Sequence, residues 1–394
     1  MTLRRFSMLL GIALFAFASA ADARIHRVRP GDSIQAAIDA ASPGDTILVD
    51  PGTYQETSNA RYGLHVTTDD LRLIGRVKKH KGEAGKVRIL HTGTQETGIY
   101  AAPPGCEYDD PEPSCPDELQ DFYVRGFTVE GFPQNGIQTR WVDGFQFIAN
   151  ESVNNLNNGI YPTLSANGLV AKNVSYGSLD TAMWVAGSEN VRVIGNEAFG
   201  SPIGFEITVS NNVLALFNNI HDNTVGVGLF HPNASGNPQR PVMEDWVIAF
   251  NHIHNNNLPN PAPPGSFQAG VPPGVGVLLL GVSDHVIAAN RIENNDFVGV
   301  GVLGWCTAVA LGDPARNCDN DPPQADPAAR NNLVVANLLE NNGANPPPLP
   351  LPGVDLLYVQ LEVGPFVSGN CFEANQPSTL SFFSSEGSLP VDGC

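Results

Sequence analysis

The segments that decide the fold recur at a regular interval between residues 135 and 256. In order they are NGIQTRW (135–141), NGIYPTL (158–164), TAMWVAG (181–187), IGFEITVS (203–210) and VGVGLFH (225–231). A small residue keeps the same place in each segment, with intervals of 23, 23, 22 and 22 residues, at Gly136, Gly159, Ala182, Gly204 and Gly226. A fixed period of this length is typical of repeat proteins that stack one short structural unit on the next.

An asparagine follows each segment with the same period. The row runs through Asn150, Asn173, Asn196, Asn218, Asn251, Asn290, Asn337 and Asn370. Its later intervals are longer by one insertion each, as in solenoids that carry loops on their coils. Each unit holds three short β-type runs, for example GFEITV, VLALF and NIH. We therefore predict an all-β fold, a single-stranded parallel β-helix in which each unit is one coil.

We interpret the asparagine row as a structural ladder. Asparagine tolerates the left-handed backbone of a tight turn, and its amide can pair with the coils above and below. Insertions rich in Pro and in Asn or Asp interrupt the coils at 103–118, 232–244, 257–273, 308–330 and 343–352. Because the repeat resumes in phase after each insertion, we interpret them as loops on one domain that covers residues 24–394.

Residues 1–23 differ from the rest of the chain. They combine Arg4 and Arg5 with the apolar run MLLGIALFAFA and with small residues near Ala20 and Ala23. This order is typical of a secretory signal peptide, and the apolar run is too short to span a membrane. We therefore expect an exported protein, periplasmic or extracellular.

Six cysteines fit an exported chain, in which an even number is normally disulfide-bonded. The most local pairing joins Cys106 with Cys115, Cys306 with Cys318, and Cys371 with Cys394. The first two bonds would each close an insertion, and the third would hold the C-terminal tail. Six cysteines allow 15 pairings, so other connectivities stay open.

The chain is acidic, with a formal net charge of −19. Such a charge opposes non-specific binding to nucleic acid, which we exclude as a partner. A basic cluster between Arg72 and Arg88 is interpreted as a solvated loop near one end of the rod, with a polyanion patch as the alternative. Most of the negative charge follows residue 90, so neutral glycans fit this region better than polyuronates unless Ca²⁺ intervenes.

The start of the predicted mature chain indicates a cap for the solenoid. Ser33 suits the N-cap of a short helix with the apolar face Ile34, Ala37, Ile38 and Ala41. Such a helix would cover the open end of the first coil, which solenoid proteins need for solubility.

This opening, GDSIQAAIDAASPGDTILVDPGTYQE (31–56), and the repeats after it resemble exported right-handed parallel β-helix proteins of the pectate-lyase-like superfamily. The resemblance covers essentially the whole mature chain and implies that fold. It implies no single activity, because the superfamily includes polysaccharide lyases, hydrolases, epimerases, phage spikes and non-enzymatic periplasmic members. The Asp-Pro-His-Asp run of the epimerases is missing, as is the catalytic set of polygalacturonases. Asp284-His285 is the nearest fragment to the pectate-lyase motif, and we place it at a turn.

An outward-facing row suggests where function lies. Aligning the coils stacks the first-strand residues Tyr100, Gln138, Tyr161, Trp184 and Glu206. Aromatic rings at this spacing can stack on successive sugars, so Tyr100, Tyr161 and Trp184 are predicted sugar platforms, with Gln138 beside them. Arg140 is predicted to hold a substrate carboxylate, and Glu206 and His231 are the acid/base candidates. The structural alternative is that the aromatics simply suit a half-exposed sheet or are covered by loops.

A second outward row brings His221, His254 and Glu293 to neighbouring coils. Two imidazoles and one carboxylate can bind a divalent cation, either Ca²⁺ or a transition metal. The alternative is a solvated row in which these side chains are merely tolerated, since stacking alone does not fix ligand distances.

Two functions follow from these rows. The first is an exported protein that binds an extended polysaccharide along the first-strand face and processes it as a lyase, epimerase or glycosidase. The second is a non-catalytic periplasmic scaffold or metal-handling protein. A walled trough over Trp184 and Glu206 favours the first, and convergence of His221, His254 and Glu293 favours the second.

Overall fold

The architecture is that of a computed structural model, which describes residues 23–77, 85–106, 115, 117–230, 243–312, 326–360 and 368–384. The predicted signal peptide, apart from residue 23, lies outside the described residues. So do His231, Cys318 and Cys394. Within the described ranges, no helix is long and apolar enough to cross a membrane.

Short strands wind the chain into coils, and equivalent strands of successive coils pair in parallel. The described strands form three sheets of 11, 11 and 10 strands, which we name sheets 1, 2 and 3 in the order in which a coil visits them. The fold is therefore the parallel β-helix predicted from the repeat.

The element bounds follow the 22- to 23-residue period until insertions lengthen it. Sheet 1 consists of Tyr62–Val66, Thr97–Ala101, Ile137–Arg140, Ile160–Thr163, Thr181–Ala186, Ile203–Thr208, Val225–Phe230, Val275–Leu280, Val298–Leu303, Val354–Gln360 and Leu380–Ser384. Sheet 2 consists of Ile25–Val28, Thr46–Val49, Arg72–Gly75, Leu119–Arg125, Val142–Ile148, Ala166–Ala171, Glu189–Ile194, Asn211–Leu216, Trp246–Ala249, Val286–Ala288 and Leu333–Val335. Sheet 3 consists of Gly52–Tyr54, Val87–Leu90, Phe127–Glu130, Glu151–Val153, Val174–Tyr176, Glu197–Phe199, Asn219–His221, His252–His254, Arg291–Glu293 and Leu338–Glu340. Within the described ranges the helices are Ile34–Asp39, the 3₁₀ helix Phe267–Gly270 and Trp305–Gly312.

The recurring glycine marks a close approach between coils. A Cβ on Gly159 would collide with Ser175 Oγ and would lie 2.5 Å from the carbonyl oxygen of Ala182 on the next coil. Space therefore explains why this place in the repeat takes glycine or alanine.

The predicted asparagine ladder exists and is buried. Asn196 Oδ1 accepts hydrogen bonds from the backbone N (2.9 Å) and Nδ2 (3.0 Å) of Asn173, and its own Nδ2 donates to Val170 O at 2.9 Å. A second ladder, which the sequence reasoning missed, joins Asn223, Asn256, Asn295 and Asn342 at the turn between sheets 3 and 1. These bonds satisfy amides that the coil interior would otherwise leave unpaired.

Two details of the ladder prediction were wrong. The left-handed residue at this turn is the one before the asparagine, for example Ala149 (φ 50°) or Lys172 (φ 57°), so the asparagine is there for its amide. At the C-terminal end, Asn337 pairs with Asn375, whereas Asn370 pairs with Asn332 in a different row. The ladder partner of Asn337 therefore lies five residues later in the sequence than predicted.

The predicted cap is confirmed. Ser33 is the N-cap of the helix Ile34–Asp39, and its Oγ accepts a hydrogen bond from Ala36 N at 3.0 Å. Glu56 adds a second cap, because its carboxylate accepts from Ser33 Oγ at 2.7 Å and from Ile34 N at 2.6 Å. Ile34 and Ile38 are buried in a hydrophobic cluster that continues inside the coils as far as Phe372.

The predicted disulfide between Cys106 and Cys115 is confirmed. Both cysteines pack on the buried ring of Trp141, at the end of sheet 1. Cys306 and Cys371 also take part in disulfides. Their predicted partners Cys318 and Cys394 lie outside the described residues, so those two pairings stay predictions.

Candidate functional site

The predicted first-strand row lies on the outer face of sheet 1. The parallel register pairs Tyr100 with Gln138, Gln138 with Tyr161, and Trp184 with Glu206. A neighbouring row pairs Arg140 with Thr163, and Ala186 with Thr208. The sequence alignment of the coils therefore placed these side chains correctly.

Four residues of the row, Tyr100, Gln138, Tyr161 and Glu206, are buried, and Trp184 is partly exposed. Tyr100 is 0% exposed, stacks on Tyr62 at a centroid distance of 4.3 Å, and donates a hydrogen bond to Cys106 O at 3.4 Å. Gln138 is also buried, and its Oε1 accepts from Asn135 Nδ2 at 2.8 Å. The exposure of Tyr100 and Gln138 gives no support to their predicted roles in sugar binding, which stay predictions.

An aromatic pair contains the partly exposed residue of the row. The rings of Tyr161 and Trp184 stack with centroids 4.6 Å apart and 14° between their planes. Tyr161 is buried, whereas Trp184 is only partly buried. Trp184 Nε1 donates to Thr208 Oγ1 at 2.9 Å, which fixes the indole in its orientation. Trp184 thus presents a held aromatic surface beside Glu206.

Glu206 does not act alone, because a second carboxyl group shares a hydroxyl with it. Thr181 Oγ1 lies 2.6 Å from Glu206 Oε2 and 3.2 Å from Asp180 Oδ1. The two carboxyl oxygens are consequently no more than about 6 Å apart. We name Asp180, Thr181 and Glu206 the carboxyl pair site.

The environment raises both pKa values in the carboxyl pair site. Burial raises the pKa of Glu206 well above its ordinary value, and the charge of Asp180 raises it further. Burial also raises the pKa of Asp180, to about 6, although hydrogen bonds from Thr181 and Gln268 oppose that rise. Both shifts favour the protonated form of the carboxyl groups, and the near-complete burial of Glu206 favours this residue as the one that keeps a shared proton.

The shared hydroxyl sets the direction of the hydrogen bonds. A threonine hydroxyl has one proton and can donate to only one of the two carboxyl groups. With the proton on Glu206, this carboxyl group would donate to Thr181, and Thr181 would donate to an ionised Asp180. The site can thus offer an acid and a base at once, separated by one hydroxyl.

The other predicted site residues of this face are not at the carboxyl pair site. Arg140 lies three coils before Glu206, so the two are separated by roughly 14 Å along the rod. Its side chain is 8% exposed. His231 lies outside the described residues, so its role as an acid or base stays a prediction.

The predicted metal row is in register but hydrogen-bonded within the protein. His221 pairs with His254, and His254 with Glu293, on adjacent strands of sheet 3. His221 Nε2 lies 3.2 Å from Glu197 Oε1, and its Nδ1 lies 2.7 Å from Asp222 Oδ2. Across the described ranges, no group of three or more His, Cys, Asp or Glu is arranged to hold a metal ion. The metal site therefore stays a prediction without geometric support.

The Asp284-His285 fragment lies at a turn, as predicted. Asp284 has φ 68°, and the His285 ring is buried and stacks on Trp246 at a centroid distance of 4.1 Å. Burial lowers the pKa of His285 to about 3, so this imidazole is neutral and structural.

Asp180 is the functional candidate that the sequence reasoning missed. The first two repeats have Gln134 and Asn157 directly before Asn-Gly, whereas the third has Asp180 at the equivalent position, so a carboxyl group replaces an amide. That departure was the available signal. It was overlooked because Asp180 precedes its strand, and its partner Glu206 follows one coil later.

Comparison with known proteins supports the fold. A family model described as a right handed beta helix region matches residues 135–311. Among solved structures, the A-module of a mannuronan C-5 epimerase from Azotobacter vinelandii is 15% identical, with a TM-score of 0.57, and 91% of this chain and 95% of that chain are covered. The DFA-IIIase of Arthrobacter chlorophenolicus A6 without its lid is 14% identical, with a TM-score of 0.55 and coverage of 95% and 89%. No curated protein sequence matches this chain. The chain is thus a right-handed parallel β-helix, like these structures.

Proposed function

We propose that this right-handed β-helix protein is an exported carbohydrate-active enzyme that binds a glycan against Trp184 and cleaves it at the carboxyl pair site. The observation that carries the proposal is the raised pKa of two carboxyl groups that share the Thr181 hydroxyl. Strongly perturbed carboxyl groups of this kind are concentrated at functional sites. The partly buried ring of Trp184 beside them provides a surface on which a sugar can stack.

Glycoside cleavage suits this pair better than elimination or epimerisation of a uronate. Protonated Glu206 would donate its proton to the leaving oxygen, and ionised Asp180 would act as nucleophile or base. Carboxyl groups roughly 5–5.5 Å apart act with retention, whereas inverting enzymes separate them by roughly 6.5–9.5 Å. The limit of about 6 Å set by Thr181 favours retention. The acidic chain also repels polyuronates.

Two further features support the carbohydrate class. One of the similar folds belongs to an enzyme named for its action on mannuronan, a polysaccharide. In addition, the burial of Tyr100 confines the accessible part of the row to the neighbourhood of Trp184. We therefore propose a short binding site for one or a few sugar units, in place of a long aromatic track.

A glycan array followed by reducing-end assays tests this proposal. We expect wild type to bind and cleave a neutral glycan, Trp184→Ala to bind it more weakly, and Glu206→Gln to bind without cleaving. Phe217→Ala is the matched control, because Phe217 is a 61% exposed aromatic residue outside sheet 1. Failure of wild type to bind any glycan would refute the proposal, and binding without turnover would identify a non-catalytic scaffold.

A further inference from the structure

A second hydrophobic cluster lies on the outer face of sheet 1, beyond the carboxyl pair site. The register that contains Glu206 continues through Gly228, Leu278, Gly301 and Leu357. The neighbouring row continues from Thr208 through Phe230, Leu280, Leu303 and Val359. We name the strands from Val225–Phe230 to Val354–Gln360 the apolar half, and those from Ile137–Arg140 to Ile203–Thr208 the polar half.

Three insertions cover the apolar half and leave a cavity of about 400 Å³. The insertion at 257–273 contributes Phe267, the helix Trp305–Gly312 contributes Trp305, and the insertion at 343–352 contributes Leu349. Ser266 and Trp305 supply the polar side-chain atoms among the described lining residues, and none of these residues is charged. A void of this size is in the range of ligand sites and far exceeds ordinary packing defects.

The cavity opens to the surface beside an aromatic group. Phe267 lines the cavity and is 45% exposed. Its ring stacks on Trp305 with 2° between the planes and meets Phe230 edge-on at 5.5 Å. Exposed apolar area of this kind, continuous with an apolar cavity, favours entry of an uncharged, apolar group.

The cavity and the carboxyl pair site share one wall. Phe267 and Gln268 are adjacent in the 3₁₀ helix, and while Phe267 lines the cavity, Gln268 hydrogen-bonds to Asp180. Leu278, on the cavity floor, lies two coils from Glu206 in the same row, roughly 10 Å along the rod. A single small molecule can therefore reach from one to the other.

We propose that this cavity binds an alkyl chain or apolar ring that belongs to the substrate. This inference rests on the function proposed above. The substrate class is then an amphiphilic glycoside, whose sugar lies at the carboxyl pair site and whose apolar group lies over Leu278 and Gly301. The uncharged lining selects against anionic groups at that end, because burying an unpaired charge is costly.

Gly301 allows the cavity to be filled from its floor. A Cβ at this position would lie 3.4–3.5 Å from side-chain atoms of Leu278, Leu303 and Val298, which is ordinary van der Waals contact. A larger side chain at this position would therefore extend into the cavity. Isothermal titration with 1-octanol is the first test. We expect saturable binding to wild type, about tenfold or more weaker binding to Gly301→Phe, and nearly unchanged binding to Gly301→Ala. A thermal melt and a circular dichroism spectrum verify that Gly301→Phe is folded.

Glu206→Gln separates this inference from the proposed function. It should leave octanol binding unchanged while abolishing glycan cleavage. For the sugar that wild type binds, the octyl glycoside should bind more tightly than the methyl glycoside, and Gly301→Phe should remove that difference while leaving methyl glycoside binding unchanged.

Each contrary result has a distinct meaning. Lack of saturable octanol binding to wild type, or equal binding to Gly301→Phe, overturns the cavity inference and leaves the proposed function standing. If wild type binds octanol but binds the octyl and methyl glycosides with equal affinity, the link between the cavity and the substrate is overturned. Octanol binding with no glycan binding overturns the proposed function but not the apolar site.

Discussion

The polar and apolar halves of sheet 1 share one register and one interior but differ on their outer faces. The inward residues Val185 and Ile207 of the polar half and Val277 and Val300 of the apolar half are all buried aliphatic side chains. On the outer face, Thr181 is followed along its row by Ile203 and then by Val225, Val275, Val298 and Val354. The change from polar to apolar thus occurs within about one coil.

The difference shows which residues the solenoid itself requires. Closing the coils requires the inward row and the asparagine ladders, so the outer positions are free to differ from coil to coil. Where they stay polar, burial by neighbouring coils raises carboxyl pKa values, as at Glu206. Where they become apolar, insertions pack over them and leave a cavity. The polar half therefore carries the carboxyl pair site, and the apolar half carries the cavity.

The largest expected effect comes from the acid of the polar half. Glu206→Gln keeps the size of the side chain but removes the proton donor, so kcat on the glycan should fall by about a hundred- to ten-thousand-fold. Steady-state kinetics on the substrate from the glycan screen measures this. Glu340→Gln, on the outer face of sheet 3, is the control and should change kcat less than about twofold. Similar losses in both variants would remove the distinction between the two surfaces.

A substitution in the interior that both halves share should lower the stability of the fold and leave the reaction at the carboxyl pair site unchanged. Asn218 Oδ1 accepts from Asn196 N and Nδ2, and its Nδ2 donates to Val193 O and Asn251 Oδ1. Asn218→Ala should lower the free energy of unfolding by about 3 kcal/mol, because buried partners lose their hydrogen bonds. Urea denaturation measures the loss, with the exposed Gln146→Ala as control. An unchanged midpoint for Asn218→Ala would contradict the structural role of the ladder.

Trp184→Ala should have an intermediate effect on the polar half alone. Loss of the stacking surface should weaken glycan binding by about tenfold, or roughly 1–2 kcal/mol. Octanol binding to the apolar half should not change. Titration calorimetry with the glycan and with octanol measures the two affinities. A similar loss of octanol affinity in Trp184→Ala would show that the halves are not separate sites.

The last expected effect is a pH dependence of stability. The folded-state pKa values of Asp180 and Glu206 are raised, so the folded state binds more protons than the unfolded chain. The stability contributed by Asp180 is complete below its ordinary pKa of 3.8 and is lost as the pH rises through about 6. Glu206→Gln should therefore become progressively more stable relative to wild type between pH 4 and pH 8. Thermal melts at both pH values measure this, and a difference that stays constant or shrinks would contradict the raised pKa values.

The fold could be predicted because its signals are local. Glycine or alanine at a close approach and asparagine at a buried turn recur through the regular coils that begin near residue 135, so the geometry of each of these coils can be inferred from its own sequence. The register of Trp184 and Glu206 followed directly from that period. Where the spacing changes after Asn337, the prediction placed Asn370 in the wrong row.

The site was harder to predict because it depends on contacts between coils and insertions. Tyr100 is buried and hydrogen-bonds to Cys106, in an insertion whose path the period does not specify. Asp180 meets Glu206 only through Thr181 and across one coil. The cavity depends on three insertions that meet over Leu278 and Gly301, although each was interpreted only as a loop.

Infrared difference spectroscopy of wild type against Glu206→Gln at pH 7 tests the central claim most directly, because it requires no substrate. Asp180→Asn, measured in the same way, is the control for the ionised partner. We predict that Glu206→Gln removes the carbonyl band of a protonated carboxyl group, whereas Asp180→Asn removes a carboxylate band. Loss of a carboxylate band on Glu206→Gln would show that Glu206 is ionised at neutral pH, and the acid–base account of the polar half would be wrong.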